Sequence, residues 1–130
     1  MSIELLNELA DPVEDVTEEI RAEAEEHQVF VYGSSVIGPG SNGDGLLTHE
    51  YADIESDYVP NDVGEDLPLG LVNTIITGTP GDGQLDVMLR HLPALNDTPQ
   101  KEPGLAEEFA RDEPIAGLVD VDVSFEVTVE

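Results

Sequence analysis

Thirty aspartates and glutamates stand against four lysines and arginines in this chain, a formal net charge of −26 carried by 130 residues. Self-repulsion of that size opposes any compact state in dilute buffer. At molar salt the screening length falls to about 3 Å, and most of the repulsion disappears. The expectation is a halophilic, salt-adapted acidic protein. The same balance excludes nucleic acid as a partner, because binding phosphates requires the basic side chains that this chain lacks. Anionic membrane surfaces are disfavoured for the same reason.

Against that repulsion the chain has 39 % hydrophobic residues, including three Phe, three Tyr and no Trp. Its core must be built from Val, Ile and Leu, and its length suits a single domain spanning 1–130. With no cysteine there can be no disulfide, thiolate metal site or Cys nucleophile. Residues 1–10 have neither a basic n-region nor an apolar run long enough to cross a bilayer, so neither a signal peptide nor a transmembrane segment is expected in this chain.

Asp11, Pro12 and Glu14 form a helix-start pattern, and Val13, Val16, Ile20 and Ala24 make an apolar stripe that predicts a helix to about Gln28. Residues 2–6 and 29–32 read as strands flanking that helix and pairing with each other. Residues 33–45 are rich in Gly, Ser, Asn and Pro and predict a long surface loop, followed over 46–58 by an edge strand with an acidic end. Over 69–92 the alternation of Leu71, Asn73 and Ile75 with Val72, Thr74 and Ile76, then a turn at 79–83, predicts a hairpin. Its return strand carries Leu85, Val87, Leu89 and His91 on one face. Residues 96–114 predict an exposed excursion with a helical turn near Glu107. The last strand alternates Val119, Val121, Val123, Phe125, Val127 and Val129 inward with Asp120, Asp122, Ser124, Glu126 and Thr128 outward. The fold class expected is mainly β with one N-terminal α-helix: an antiparallel, immunoglobulin-like β-sandwich with an inserted helix.

Four stretches also carry a family resemblance: Ser2-Ile3-Glu4-Leu5-Leu6-Asn7-Glu8, the helix ending Glu25-Glu26-His27-Gln28, the strand ending Leu89-Arg90-His91-Leu92-Pro93, and the closing strand at 119–129. Together they resemble the C-terminal two thirds of small secreted lipoproteins of Bacteroidota, loosely labelled type 1 periplasmic-binding-fold proteins. The resemblance implies a cell-envelope location, periplasmic or outer-surface, a sandwich with a helix across it, and little activity. It also implies a lipid-bearing Cys and further strands ahead of Ser2, where this chain has Met1. The acidic stretches at 33–66 and 96–114 depart from the family pattern.

His27, at the end of the expected helix, and His91, on the apolar face of its strand, can both point inward. With Glu23 one helical turn before His27 they form a nitrogen and carboxylate set suited to zinc or a similar divalent metal, which His49 would complete. The plainer alternative is two hydrogen-bonded core histidines. Asp53, Glu55 and Asp57, with Asn61, Asp62, Glu65 and Asp66, offer hard oxygens for calcium but lack an EF-hand's spacing, and a solvated acidic face is the simpler reading. Ser34, Ser35 and Ser41 have no nucleophile-elbow context, and no Lys follows Gly45 to make a phosphate loop. The chain is therefore expected to be no enzyme. The leading expectation is a noncatalytic binding module docking to another protein, or to itself through a sheet edge, with a divalent metal as its only cofactor. The second is a structural subunit of a virion or surface layer.

Overall fold

Alternation near the C-terminus produces a long strand, and that strand completes one of two sheets in a mainly β fold. The computed structural model describes residues 1–7, 14–61 and 65–130. Strands β1 (Leu6–Asn7) and β2 (Glu14–Asp15) pair in a small ribbon ahead of helix α1 (Thr17–Ala22) and a 3₁₀ turn (Ala24–Glu26). Strand β3 (His27–Tyr32) then pairs antiparallel with β8 (Gly81–His91), which pairs with β9 (Leu118–Val129). The second sheet has the order β5 (Ser41–Asn42), β4 (Val36–Gly38), β6 (Leu47–Tyr51), β7 (Asn73–Thr77). Its β4–β6 pair is parallel, a departure from the antiparallel expectation. Helix α2 (Leu105–Ala110) precedes β9.

The two sheets face each other across one apolar cluster. Val29 and Val31 of β3 and Leu85, Val87 and Leu89 of β8 meet Val36 and Leu47 of the second sheet, with Leu69, Leu71, Ile20 and Ala24. The other face of the β3–β8 pair is covered as well, because Phe30 and Met88 pack under Leu105, Ala106 and Phe109 of α2. Both faces of the pair are therefore dry, which explains why five consecutive β8 residues, 85–89, are buried. Among the described residues no helix is long and apolar enough to cross a membrane.

Several local expectations are corrected. The Asp11-Pro12-Val13 helix start lies outside the described residues. The helix occupies six residues rather than running to Gln28, and His27 opens a strand. Like charges one turn apart (Glu19 and Glu23) weaken a longer helix, and glutamates at its end oppose the macrodipole. Residues 28–31, Gln-Val-Phe-Val, favour a strand. Ile20 and Ala24 do face the core, as the stripe predicts. The N-terminal segment pairs with residues 71–73 rather than with β3, through the Ile3 N–H on the Leu71 carbonyl (2.8 Å) and the Asn73 N–H on the Met1 carbonyl (2.8 Å).

The expected hairpin is a crossover between sheets. β7 pairs with β6, and the chain then passes to the other sheet, where β8 lies between β3 and β9. Gly83 permits this close pass, since a Cβ there would strike the Ser35 side chain whose Oγ accepts the Gln84 N–H (2.6 Å). The segment 33–45 holds two short strands with Val36 fully buried, so it is not merely a surface loop. β6 has a neighbour on each side and is internal, not an edge.

Candidate metal centre

His27 begins β3 and His91 ends β8, and the antiparallel register sets them directly opposite each other. Opposed residues share a face, so both rings project to the same side at one end of the sandwich. They stack with centroids 4.6 Å apart and planes 11° apart. Glu23, the residue closing α1, lies beside them, and Glu23, His27 and His91 each offer a ligand atom within 4.8 Å of the others. Among the described residues this is the only group of three or more metal-ligating side chains so arranged. The three expected ligands are thus brought together, although the helix expected to carry His27 ends before it.

His27 is buried, and its Nδ1 lies 3.1 Å from the Glu23 carbonyl oxygen. A carbonyl only accepts, so Nδ1 carries the proton and Nε2 the lone pair. The Glu23 carboxylate is 3.8 Å from Nδ1, and on the opposite side Asp120 Oδ2 is 3.9 Å from Nε2. Asp120 owes its position to a β-bulge: Leu89 pairs with Val121 and Arg90 with Val119, so Asp120 is the extra residue of β9. Bulges re-aim side chains in this way. Alternation had assigned Asp120 outward, and the sequence signal of the slip is the adjacent apolar pair Leu118 and Val119, which breaks a strict period of two.

In a tetrahedral site with bonds of about 2.0–2.2 Å, ligand atoms lie about 3.4 Å apart, so the Asp120 and His27 atoms need to close by only a few tenths of an ångström. The parallel stack places both lone pairs in nearly parallel planes, and one ring must rotate to converge on a single ion. His91 is the freer ring, being half-buried where His27 is buried and pinned by its hydrogen bond.

The other sequence candidates are occupied elsewhere. His49 is 1 % exposed, away from the pair, with Nε2 2.7 Å from Asn73 Oδ1. Its Nδ1 is buried without a hydrogen-bond partner, and burial holds its pKa below the ordinary value. Asp62 lies outside the described residues, and the rest of the acidic stretch at 53–66 is not a solvated face throughout. Asp53 turns inward, where Oδ1 accepts the Gly70 N–H (2.7 Å) and Oδ2 accepts those of Leu71 (2.8 Å) and Val72 (3.1 Å) and the Tyr58 hydroxyl (2.7 Å). Glu55 is buried against Lys101, and Asp57 accepts the Ile54 N–H (2.9 Å). These oxygens hold the chain together rather than converging on a cation site. Ser35 and Ser41 are likewise committed to backbone partners.

A cleft of about 870 Å³ opens beside Glu23 and Glu26, rimmed by Glu65, Asp97 and Glu102, with Lys101 in its lining. The Lys101 ammonium is engaged by Glu55 and by the Ala24 carbonyl. Comparison of the chain with protein-family models, curated proteins and solved structures finds no match.

Proposed function

We propose that this chain is a noncatalytic β-sandwich module that binds a zinc-like divalent metal ion through His27, His91 and a carboxylate. The observation that carries the reading is the cross-strand register that opposes His27 and His91 with Glu23 beside them. Two imidazoles and a carboxylate suit borderline metals better than the all-oxygen sets that calcium and magnesium prefer. The His27 hydrogen bond to a main-chain carbonyl is the outer-shell contact that typically orients a metal-binding imidazole and leaves its other nitrogen basic.

Two carboxylates compete to be the third ligand. Glu23 serves if the ion sits on the Nδ1 side, which requires that nitrogen to release the Glu23 carbonyl. Asp120 serves on the Nε2 side with no hydrogen bond broken, but it approaches His27 alone (3.9 Å), so His91 must swing toward that side to complete the set. Calorimetric titration with zinc in molar sodium chloride and excess magnesium, which occupies the many exposed carboxylates, is expected to show one tight site per chain. His91→Gln should abolish it. Of Glu23→Gln and Asp120→Asn, the one that removes the true ligand should weaken binding about 10- to 100-fold. Zinc stoichiometry and affinity unchanged in His91→Gln would overturn the proposal.

A further inference from the structure

The C-terminal strand β9 runs for twelve residues along the outside of its sheet, with β8 as its only strand partner among the described residues. One row of its main-chain donors and acceptors therefore faces outward unpaired, the arrangement that invites another strand. Residues 121–129 contain no Pro and no Lys and the bulge lies before them, so Asp122 and Glu126 are the only edge-protecting residues of the stretch. Apolar side chains at this edge are also uncovered. Val123 and Phe125 lie on the face that packs against the second sheet, yet they remain 42 % and 51 % exposed.

The sequence of this stretch identifies its occupant. Residues 121–129 read Val-Asp-Val-Ser-Phe-Glu-Val-Thr-Val, and Phe125 is the midpoint. Antiparallel pairing with an identical strand about a two-fold axis through Phe125 opposes Val121 with Val129 and Val123 with Val127, and sets Phe125 against itself. On the outer face it opposes Asp122 with Thr128 and Ser124 with Glu126, so each acid of the stretch meets a hydroxyl. Opposed residues share a face, and like charges directly opposite are destabilising. Shifting the axis to Ser124 opposes Asp122 with Glu126. Shifting it to Glu126 opposes that residue with itself and Asp122 with Glu130. The register centred on Phe125 keeps the apolar row continuous and avoids both clashes within 121–129; its one like-charge pair, Asp120 with Glu130, falls at the two ends, where Asp120 is the bulged residue. An axis at Val127 also keeps acids apart but pairs only residues 124–130, a shorter ladder.

We propose that two copies of this chain associate through β9, antiparallel and centred on Phe125, to form one continuous six-stranded sheet across the dimer. The proposal is independent of the metal site. Each copy carries a charge of −26, so association strengthens as salt screens the repulsion.

Because the chain has no cysteine, single substitutions report the register cleanly. In molar sodium chloride light scattering should give a dimer mass, and oxidised Phe125→Cys should form a covalent dimer. Val123→Cys alone should not, because two copies of residue 123 lie four positions apart along the pair, but mixed with Val127→Cys it should cross-link. Phe125→Asp, at a half-exposed position opposite Leu85 within the chain, sets two acids against each other on the axis and should weaken the dimer at least about fivefold, with circular dichroism checking that the monomer fold is kept. A monomer mass at all accessible concentrations overturns the proposal, as does Val123→Cys cross-linking to itself as readily as Phe125→Cys.

Discussion

Lys101 Nζ lies 2.8 Å from Glu55 Oε2, and the two residues are only 4 % and 2 % exposed. The ammonium also donates to the Ala24 carbonyl (3.0 Å), while Glu55 Oε1 accepts from Asn61 Nδ2 (2.7 Å) and the Leu67 N–H (3.3 Å). One buried pair thus fastens the end of the helical segment, the acidic stretch and the 96–114 excursion to each other. Burial pushes the Lys101 pKa below its ordinary range, and Glu55 partly offsets that shift.

Removing one member of such a pair leaves the other charge buried and uncompensated. Lys101→Ala is expected to destabilise the fold by about 3–5 kcal/mol. The double variant Lys101→Met with Glu55→Met should lose less than Lys101→Ala alone, since no isolated charge remains. Urea denaturation of the wild type, Lys101→Met, Glu55→Met and the double variant gives the coupling energy. Losses that simply add would show that the two residues act separately.

His49 makes a pH-dependent prediction. Its folded-state pKa is lowered, first by burial, so the native state resists protonation more than the unfolded chain does. In the window below the ordinary value of 6.5 the unfolded state binds more protons. Stability therefore rises with pH there, and is lost as pH falls from 6.5 towards the folded pKa, by up to about 1.4 kcal/mol per pH unit. His49→Gln retains a donor for Asn73 and removes this titration. The difference between wild-type and variant stability should shift between pH 7 and 5 in favour of the variant. Parallel pH profiles would contradict the assignment.

Asp53 holds the crossing segment 70–72 through three main-chain N–H groups, and Gly70 there has φ 97° with no room for a Cβ against Val29. In Asp53→Asn one terminal atom becomes a donor facing donors. A loss of about 2–3 kcal/mol is expected by thermal or urea unfolding, with Tyr58 also losing its acceptor if the amide turns that way.

How much of this was legible in the sequence depended on whether local periodicity or long-range pairing decided the outcome. Ile20 and Ala24 face the core, and Leu71 and Asn73 are buried while Val72 and Thr74 are exposed, because a period reports which side of an element is dry. The partner of each strand is not in the period. The turn at 79–83 looks the same whether it closes a hairpin or carries the chain from β7 to the opposite sheet. His27 and His91 were legible as inward-facing residues, and only the β3–β8 register makes them neighbours. Asp120 was missed because a bulge changes phase without changing composition. Asp53 and Glu55 were hidden by their surroundings: among 30 acidic residues, nothing local marks the two that turn inward.

The last prediction concerns the charge itself. Apart from buried residues such as Asp53, Glu55 and Asp86, most of the described carboxylates lie at least partly in solvent, where counterions can reach them. The screening length shortens from about 30 Å at 0.01 M salt to about 3 Å at 1 M, so the repulsive part of the unfolding free energy should fall over that range. Wild-type unfolding midpoints, followed by circular dichroism, are expected to rise with sodium chloride and to level off near 1 M. Replacing the exposed Glu19, Glu50, Glu102 and Glu107 with Gln removes charge without breaking a buried contact. That variant should be more stable than the wild type at 0.01 M and close to it at 1 M. Equal midpoints for the wild type at both concentrations would remove the case for salt adaptation. A midpoint that keeps climbing well above 1 M, with the same slope in the Gln variant, would show that salt acts through hydration of apolar surface rather than through screening of the acidic side chains.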